Sequence, residues 1–160
     1  MASTDVSGGS ASGMESSLGV DMSLEVVTLP VADVDRAKSF YQSLGWRFDI
    51  DLAISDDIRT VQFTPPHSPC SIQFGKGGTT AEPGSAQKTF LVVDDIDATR
   101  SDLVGRGVEV SEVQEMRPPG FEGPEGERSY FARAEFSDPD GNTWVLQEIT
   151  TRLPGRAWTD

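Results

Sequence analysis

From Leu24 onward the chain alternates between short apolar runs and helix-spaced apolar positions. Leu24 to Val31 (LEVVTLPV) is β-branched and apolar, the composition of a strand covered on both sides or nearly so. Asp33 follows, and then Val34, Ala37, Phe40, Tyr41 and Leu44 recur at spacings of three and four. That spacing predicts an amphipathic helix, opened by an Asp that caps free N–H groups and closed by Gly45. Trp46 to Leu52, Arg59 to Thr64 and Ser71 to Gly75 read as three further strands, the last two separated by a Pro-rich turn at 65–69. The first half is therefore β-α-β-β-β.

The second half repeats the pattern. Thr89 to Val93 reads as a strand, Asp95 as a cap, Ile96 to Val104 as a helix, Gly107 as its stop and Val108 to Val113 as the next strand. A slide of 62 residues lays Val31 on Val93, Asp33 on Asp95, Ser39 on Ser101 and Gly45 on Gly107. Strands at Ser129 to Ser137 and Thr143 to Ile149 complete the copy, joined by Asp138-Pro139-Asp140-Gly141-Asn142, a strong hairpin signal. An internal duplication of this length outranks any single motif as evidence for architecture. The class expected is α+β, with two tandem β-α-β-β-β modules at 24–75 and 87–149 that enclose an open-barrel ligand cavity.

The remaining segments connect or flank these modules. Residues 1–23 hold seven serines and four glycines with almost no spaced apolar pattern, and are expected to form a disordered tail. Residues 76–86 form a Gly/Thr/Ser linker, and 150–160 a C-terminal tail. Within the second module, 114–128 is a long Pro- and Gly-rich loop, and loops of about 15 residues are often functional. The loop is either a decorated hairpin connection or a lid or edge of the pocket, and Phe121, an apolar residue that a purely solvated loop has no use for, favours the second.

Composition narrows the function. The 160 residues include 13 basic and 26 acidic side chains, a net charge of −13. Such a surface repels phosphate backbones and anionic headgroups, so neither nucleic acid nor membrane is an expected partner. No run approaches the roughly 18 apolar residues of a spanning helix, and the N-terminus lacks the regions of a secretory signal, so the protein is expected to be cytoplasmic. One cysteine, Cys70, and one histidine, His67, leave no internal disulfide, no thiolate cluster and no site built on several imidazoles.

The duplicated unit, with Val31-Ala32-Asp33-Val34-Asp35, Val92-Val93-Asp94-Asp95-Ile96-Asp97 and the final Asp138 to Asn142 turn, resembles the vicinal oxygen chelate superfamily. Glyoxalase I, extradiol dioxygenases, fosfomycin resistance enzymes and bleomycin resistance proteins belong to it. The resemblance covers roughly Leu24 to Ile149 and implies a ligand cavity on the concave sides of the sheets and, in many members, a homodimer. It also implies four metal-ligand positions, which fall here on Val26, Gln73, Lys88 and Val145. Two apolar side chains, a cation and an amide do not make a divalent site, so neither metal nor cofactor is expected. Glu148 stands three residues away from the last position and, by alternation, on the opposite face.

Strand alternation turns Val26, Thr28 and Pro30 toward the cavity, with Lys88, Phe90 and Val92 in the second copy and Val145 in the last strand. The face of 129–137 that lines the cavity is open: Tyr130, Ala132 and Ala134 share one side, Phe131, Arg133 and Glu135 the other. The candidate ligand-binding set is Val26, Thr28, Gln73, Lys88, Phe90, Phe121, Tyr130 and Val145. Lys88 is its most informative member, since a lysine on an apolar face calls for an anion unless it reaches solvent. His67 sits between prolines in a turn, and Cys70 lacks a basic neighbour. Two functions lead, ahead of a structural or partner-binding subunit that would use the acidic exterior and the tail. One is metal-independent binding of a small, largely apolar molecule, for sequestration or carriage, as bleomycin resistance proteins do. The other is an enzyme of the same superfamily, an isomerase, lyase or dioxygenase-like protein, using side-chain acid/base chemistry from Lys88, Glu135, Tyr130 or His67, or an atypical metal site.

Overall fold

The structure, a computed structural model, describes residues 20–120 and 127–153. The tail expected at 1–23 lies mostly outside the described residues, as do Phe121 and residues 154–160 of the C-terminal tail. The first module runs β1 (Val26–Thr28), α1 (Val34–Ser43), β2 (Arg47–Ser55), β3 (Ile58–Thr64) and β4 (Ser71–Lys76). The second runs β5 (Thr89–Val93), α2 (Ile96–Gly105), β6 (Gln114–Glu115), β7 (Ala132–Ser137) and β8 (Thr143–Glu148). Each forms an open four-stranded sheet, in the orders β1-β4-β3-β2 and β5-β8-β7-β6. In both, the strand before the helix lies parallel to the last strand, and the remaining pairs are antiparallel. The fold is α+β, built from two tandem modules.

The helix signals in the sequence act as expected. Asp33 accepts from the Arg36 N–H at 3.0 Å and Asp95 from the Ala98 N–H at 2.9 Å. Gly45 and Gly107, at φ +78° and +89°, take the left-handed turn that ends each helix, a conformation that a side chain would strain.

Three expected strands are shorter than the pattern suggests. The first strand stops before Pro30, which has no N–H to donate, although Leu29 still donates to the Gln73 carbonyl at 2.8 Å. Residues Val108 to Val113 do not form a strand: Ser111 donates its N–H to the Glu135 carbonyl, but its hydroxyl, rather than its carbonyl, accepts from the Glu135 N–H. A side chain that takes a ladder position ends the ladder. On that edge of β7 the ladder is then limited to β6, inside what reads in sequence as an unstructured loop. The strand expected from Ser129 begins at Ala132, because Tyr130 sits at φ +69° and both Phe131 and Ala132 donate to the Arg128 carbonyl.

One core joins the modules. Tyr41 of α1 is fully buried among Trp46, Phe63, Phe74 and Trp144, and the Trp46 and Trp144 rings meet edge-on at 5.3 Å. Beneath them the Asp138 carboxylate accepts from the Tyr41 hydroxyl, from the Asn142 side-chain amide and from two backbone N–H groups of its own turn. Asn142 also donates to the Pro30 carbonyl at 2.9 Å, and Asp140 accepts from the Ala32 N–H at 3.0 Å. The last hairpin thus locks the first module to the second.

On the outside of the first sheet, Asp51 of β2 accepts from Arg59 and from Lys38 of α1, both at 2.8 Å. These hydrogen bonds hold its carboxyl well below the usual carboxylate range. A depressed pKa stabilises the fold above the unfolded value, about 3.9, and that contribution fades as pH falls below it. Asp51→Asn is therefore expected to cost about 1–2 kcal/mol at neutral pH, and the gap from wild type to close toward pH 2. Urea midpoints measured from pH 7 to 2 check it; a gap independent of pH would refute it.

Candidate functional site

Each sheet turns one face to the helices and leaves the other open. In the second sheet, Trp144 and Leu146 of β8 face the core with their β7 partners Phe136 and Ala134, so Arg133, Glu135, Val145 and Gln147 fall on the open face. Phe90 pairs with Val145 and Val92 with Gln147, which adds two apolar side chains, 45% and 46% exposed. Gln114, opposite Arg133, and Met116 close the far edge. The result is a trough of about 260 Å³ lined by Lys88, Phe90, Met116, Arg133, Glu135 and Val145, among others.

The cations give this trough its character. Lys88 holds a positive φ of 57° while its N–H donates to the Thr143 hydroxyl at 2.7 Å. The Arg133 guanidinium lies over the Phe90 ring, 5.4 Å from its centroid. Its Nε is buried without an acceptor among the described residues. Among the described residues neither cation has a carboxylate within 4 Å.

The first sheet's open face is different. A bulge at Asp49 puts Asp49 and Ile50 on the same side, opposite Gln62. Asp49 accepts from Arg47, Gln62 and the Thr64 hydroxyl, which in turn lies 2.7 Å from the Ser71 hydroxyl. Burial opposes ionisation of Asp49, but the combined hydrogen bonds outweigh it and hold its pKa below the ordinary value. Gln73 donates to Thr28 at 2.8 Å beside half-buried Val26. Toward the rim, Ile50, Leu52, Ile54 and Ile58 are exposed.

The sequence-derived candidates therefore divide. Val26, Thr28 and Gln73 lie together on the first sheet, and Lys88, Phe90 and Val145 on the second. Phe121 lies outside the described residues. Tyr130, expected on a strand, is in the turn before β7; its hydroxyl accepts from the Leu153 N–H and its carbonyl from Gln147. Arg133, Gln114 and Met116 were missing from the candidate set. Arg133 was visible only as one of two alternating phases, and the register against β8 decides which phase is open. His67 is exposed in its turn and does not line the trough. Burial pushes the half-buried Cys70 thiol up, and nearby Glu25 adds to the shift, against a role as a nucleophile.

The four metal-ligand positions implied by the resemblance do not fit a divalent ion. Val26 and Val145 offer no donor, Lys88 is a cation, and the Gln73 amide is hydrogen-bonded to Thr28. Glu148 faces the other way, where its carboxylate accepts from the Ile96 N–H at the start of α2 at 3.0 Å, a favourable place for a negative charge. No group of three His, Cys, Asp or Glu among the described residues is placed to hold a metal. No helix among them is long and apolar enough to cross a membrane.

A larger hollow, about 420 Å³, lies between Phe40, Val108, Glu109, Glu135 and Pro139. Its wall includes Asp138, which is already committed to the inter-module lock, and its lining holds carboxylates but no Lys or Arg.

Residues 23–146 match the family profile described as the Glyoxalase/Bleomycin resistance protein/Dioxygenase superfamily. Among solved structures, the chain is similar to TnmS3, an antibiotic binding protein from Streptomyces sp. CB03234, at 28% identity and a TM-score of 0.63, covering 83% of this chain and 99% of that one. A glyoxalase/bleomycin resistance protein from the same Streptomyces is 31% identical over 78% of this chain and 99% of its own, with a TM-score of 0.60. A superfamily member from Sphaerobacter thermophilus is 26% identical over 80% and 98%, with a TM-score of 0.62. No curated protein sequence matches the chain.

Proposed function

The chain belongs to the glyoxalase/bleomycin resistance protein/dioxygenase superfamily, and from that footing we propose that it works by binding. Its ligand is a small, largely apolar molecule, held without a metal on the open face of the second sheet for sequestration or carriage. The observation that carries this reading is the trough itself: Phe90, Met116 and Val145 form apolar walls with a few polar groups among them. That is the usual make-up of a small-molecule site. The antibiotic-binding relative uses a similar fold, and the ligand positions for a divalent ion are filled by side chains that do not coordinate one.

The protein is proposed to act as a homodimer. Ile50, Leu52, Ile54 and Ile58 on the first sheet, away from the proposed ligand trough, are left uncovered by the described residues of the same chain. A second copy is the partner that brings matching apolar faces, and each such side chain fully buried stabilises by about 1.5–3 kcal/mol.

One observation favours the enzymatic alternative: Lys88 and Glu135, a potential acid/base pair, line the same trough. Calorimetric titration of a panel of polycyclic aromatic compounds, with mass analysis of each mixture, separates the two. Binding that survives dialysis against EDTA, with every compound recovered unchanged, is the expected result; conversion of a panel member would overturn it. Light scattering is expected to give twice the chain mass, and Leu52→Asp to give monomer. A monomeric wild type would overturn the dimer.

A further inference from the structure

We propose that the molecule held in this trough is an aromatic compound with a single anionic group, and that Arg133 is the residue that holds the charge, with Lys88 beside it. The inference rests on the binding reading above and adds the ligand's charge and its anchor.

The chain carries twice as many acidic as basic residues. In such a molecule a cation ordinarily finds a carboxylate, and Arg36, Lys38, Arg47, Arg59, Arg100 and Arg128 each do so at 2.6–2.9 Å. Among the described residues Arg133 does not, although it is half-buried, while Lys88 reaches solvent and needs no carboxylate there. Arg133 in particular has its Nε buried without an acceptor among the described residues, and a buried donor left without a partner costs free energy, so these residues do not fully satisfy this cation. The guanidinium lies over Phe90, 5.4 Å from the ring centroid, and its terminal N–H groups are the donors that suit a carboxylate or sulfonate. A ring attached to that anion meets Phe90, Val145 and Met116, and Lys88 adds a second positive charge to the same lining. Glu135, two residues from Arg133 on the same face, opposes a second anionic group and so selects a monoanion over a dianion.

The test uses two fluorescent probes with the same rings, 8-anilinonaphthalene-1-sulfonate and uncharged N-phenyl-1-naphthylamine, titrated into the full chain. Wild type is expected to bind the sulfonate at least about tenfold more tightly, although the neutral probe is the more hydrophobic. Arg133→Met should weaken the sulfonate by roughly 10–100-fold and leave the neutral probe within about threefold, the range for losing a charged hydrogen-bond partner. Lys88→Met should show the same selectivity with a smaller loss. Arg133→Lys, which keeps the charge and loses the fork, should fall between. Should Arg133→Met fail to fold, added salt provides the second arm: it should weaken only the sulfonate in wild type. Equal affinity for both probes, or equal losses of both in Arg133→Met, overturns the anion anchor while leaving apolar binding intact. Failure of both probes to bind wild type overturns the binding reading along with it.

Discussion

Asp138→Ala is expected to remove about 3–5 kcal/mol of folding stability, although Asp138 lies at neither open face. The carboxylate is 5% exposed and accepts four hydrogen bonds, from the Tyr41 hydroxyl, the Asn142 amide, and the Asp140 and Asn142 N–H groups. Truncation leaves all of these donors without that acceptor in a buried place, and each orphaned group costs about 1–3 kcal/mol before relaxation. Tyr41 cannot adapt by ionising, because burial pushes its phenol far up. Because Tyr41 belongs to the first module and Asp138 to the second, the loss should be felt across the whole molecule. Urea unfolding at fixed protein concentration, with a melting point lowered by roughly 10 °C, is the expected signature. Asp138→Asn keeps the shape but turns one acceptor into a donor, and should fall between wild type and Asp138→Ala. A loss below about 1 kcal/mol for Asp138→Ala would show that the lock is not cooperative.

Trp144→Ala should cost a similar amount, about 3–5 kcal/mol, for a different reason. The indole is 2% exposed, meets Trp46 at 5.3 Å and Tyr41 at 6.2 Å, and stacks on Phe136 at 6.3 Å. Its removal leaves a cavity that rings from both modules surround and cannot easily fill. Trp144→Phe keeps most of the volume and loses the hydrogen bond from Nε1 to the Tyr41 hydroxyl at 3.1 Å, so it should cost much less. The Asp138 and Trp144 effects share Tyr41, and the double variant should therefore lose less than the two single losses added together. Full additivity would show that the two contacts act separately.

Much of the fold was legible because its signals are local. A capping Asp, a helix spacing and a terminating Gly act within one turn of chain, so Asp33, Asp95, Gly45 and Gly107 could be placed without knowing their neighbours. The duplication made each module a check on the other. Strand ends were less legible, because a ladder ends when some distant group takes its hydrogen bond. Nothing near Ser111 in sequence says that its hydroxyl will capture the Glu135 N–H, and nothing near Tyr130 says that the chain will turn there.

The site divides along the same line. Phe90 and Val145 could be placed on one face from the sequence alone, because alternation along a strand is a property of the strand itself; Lys88 lines the same trough but stands just before β5 at φ +57°, where alternation does not apply. Arg133 could not. Ala132, Ala134 and Phe136 against Arg133 and Glu135 are two phases of one strand, and alternation does not say which phase faces the core. The register of β7 on β8 decides it, by setting Ala134 beside Leu146 and Phe136 beside Trp144. The sequence by itself determined two modules, their helices, and the absence of a metal-ligand set at the positions its relatives imply. Only tertiary structure decided that Arg133 stands unpaired over Phe90, because pairing, burial and exposure of a charge depend on groups that the chain brings together from far apart.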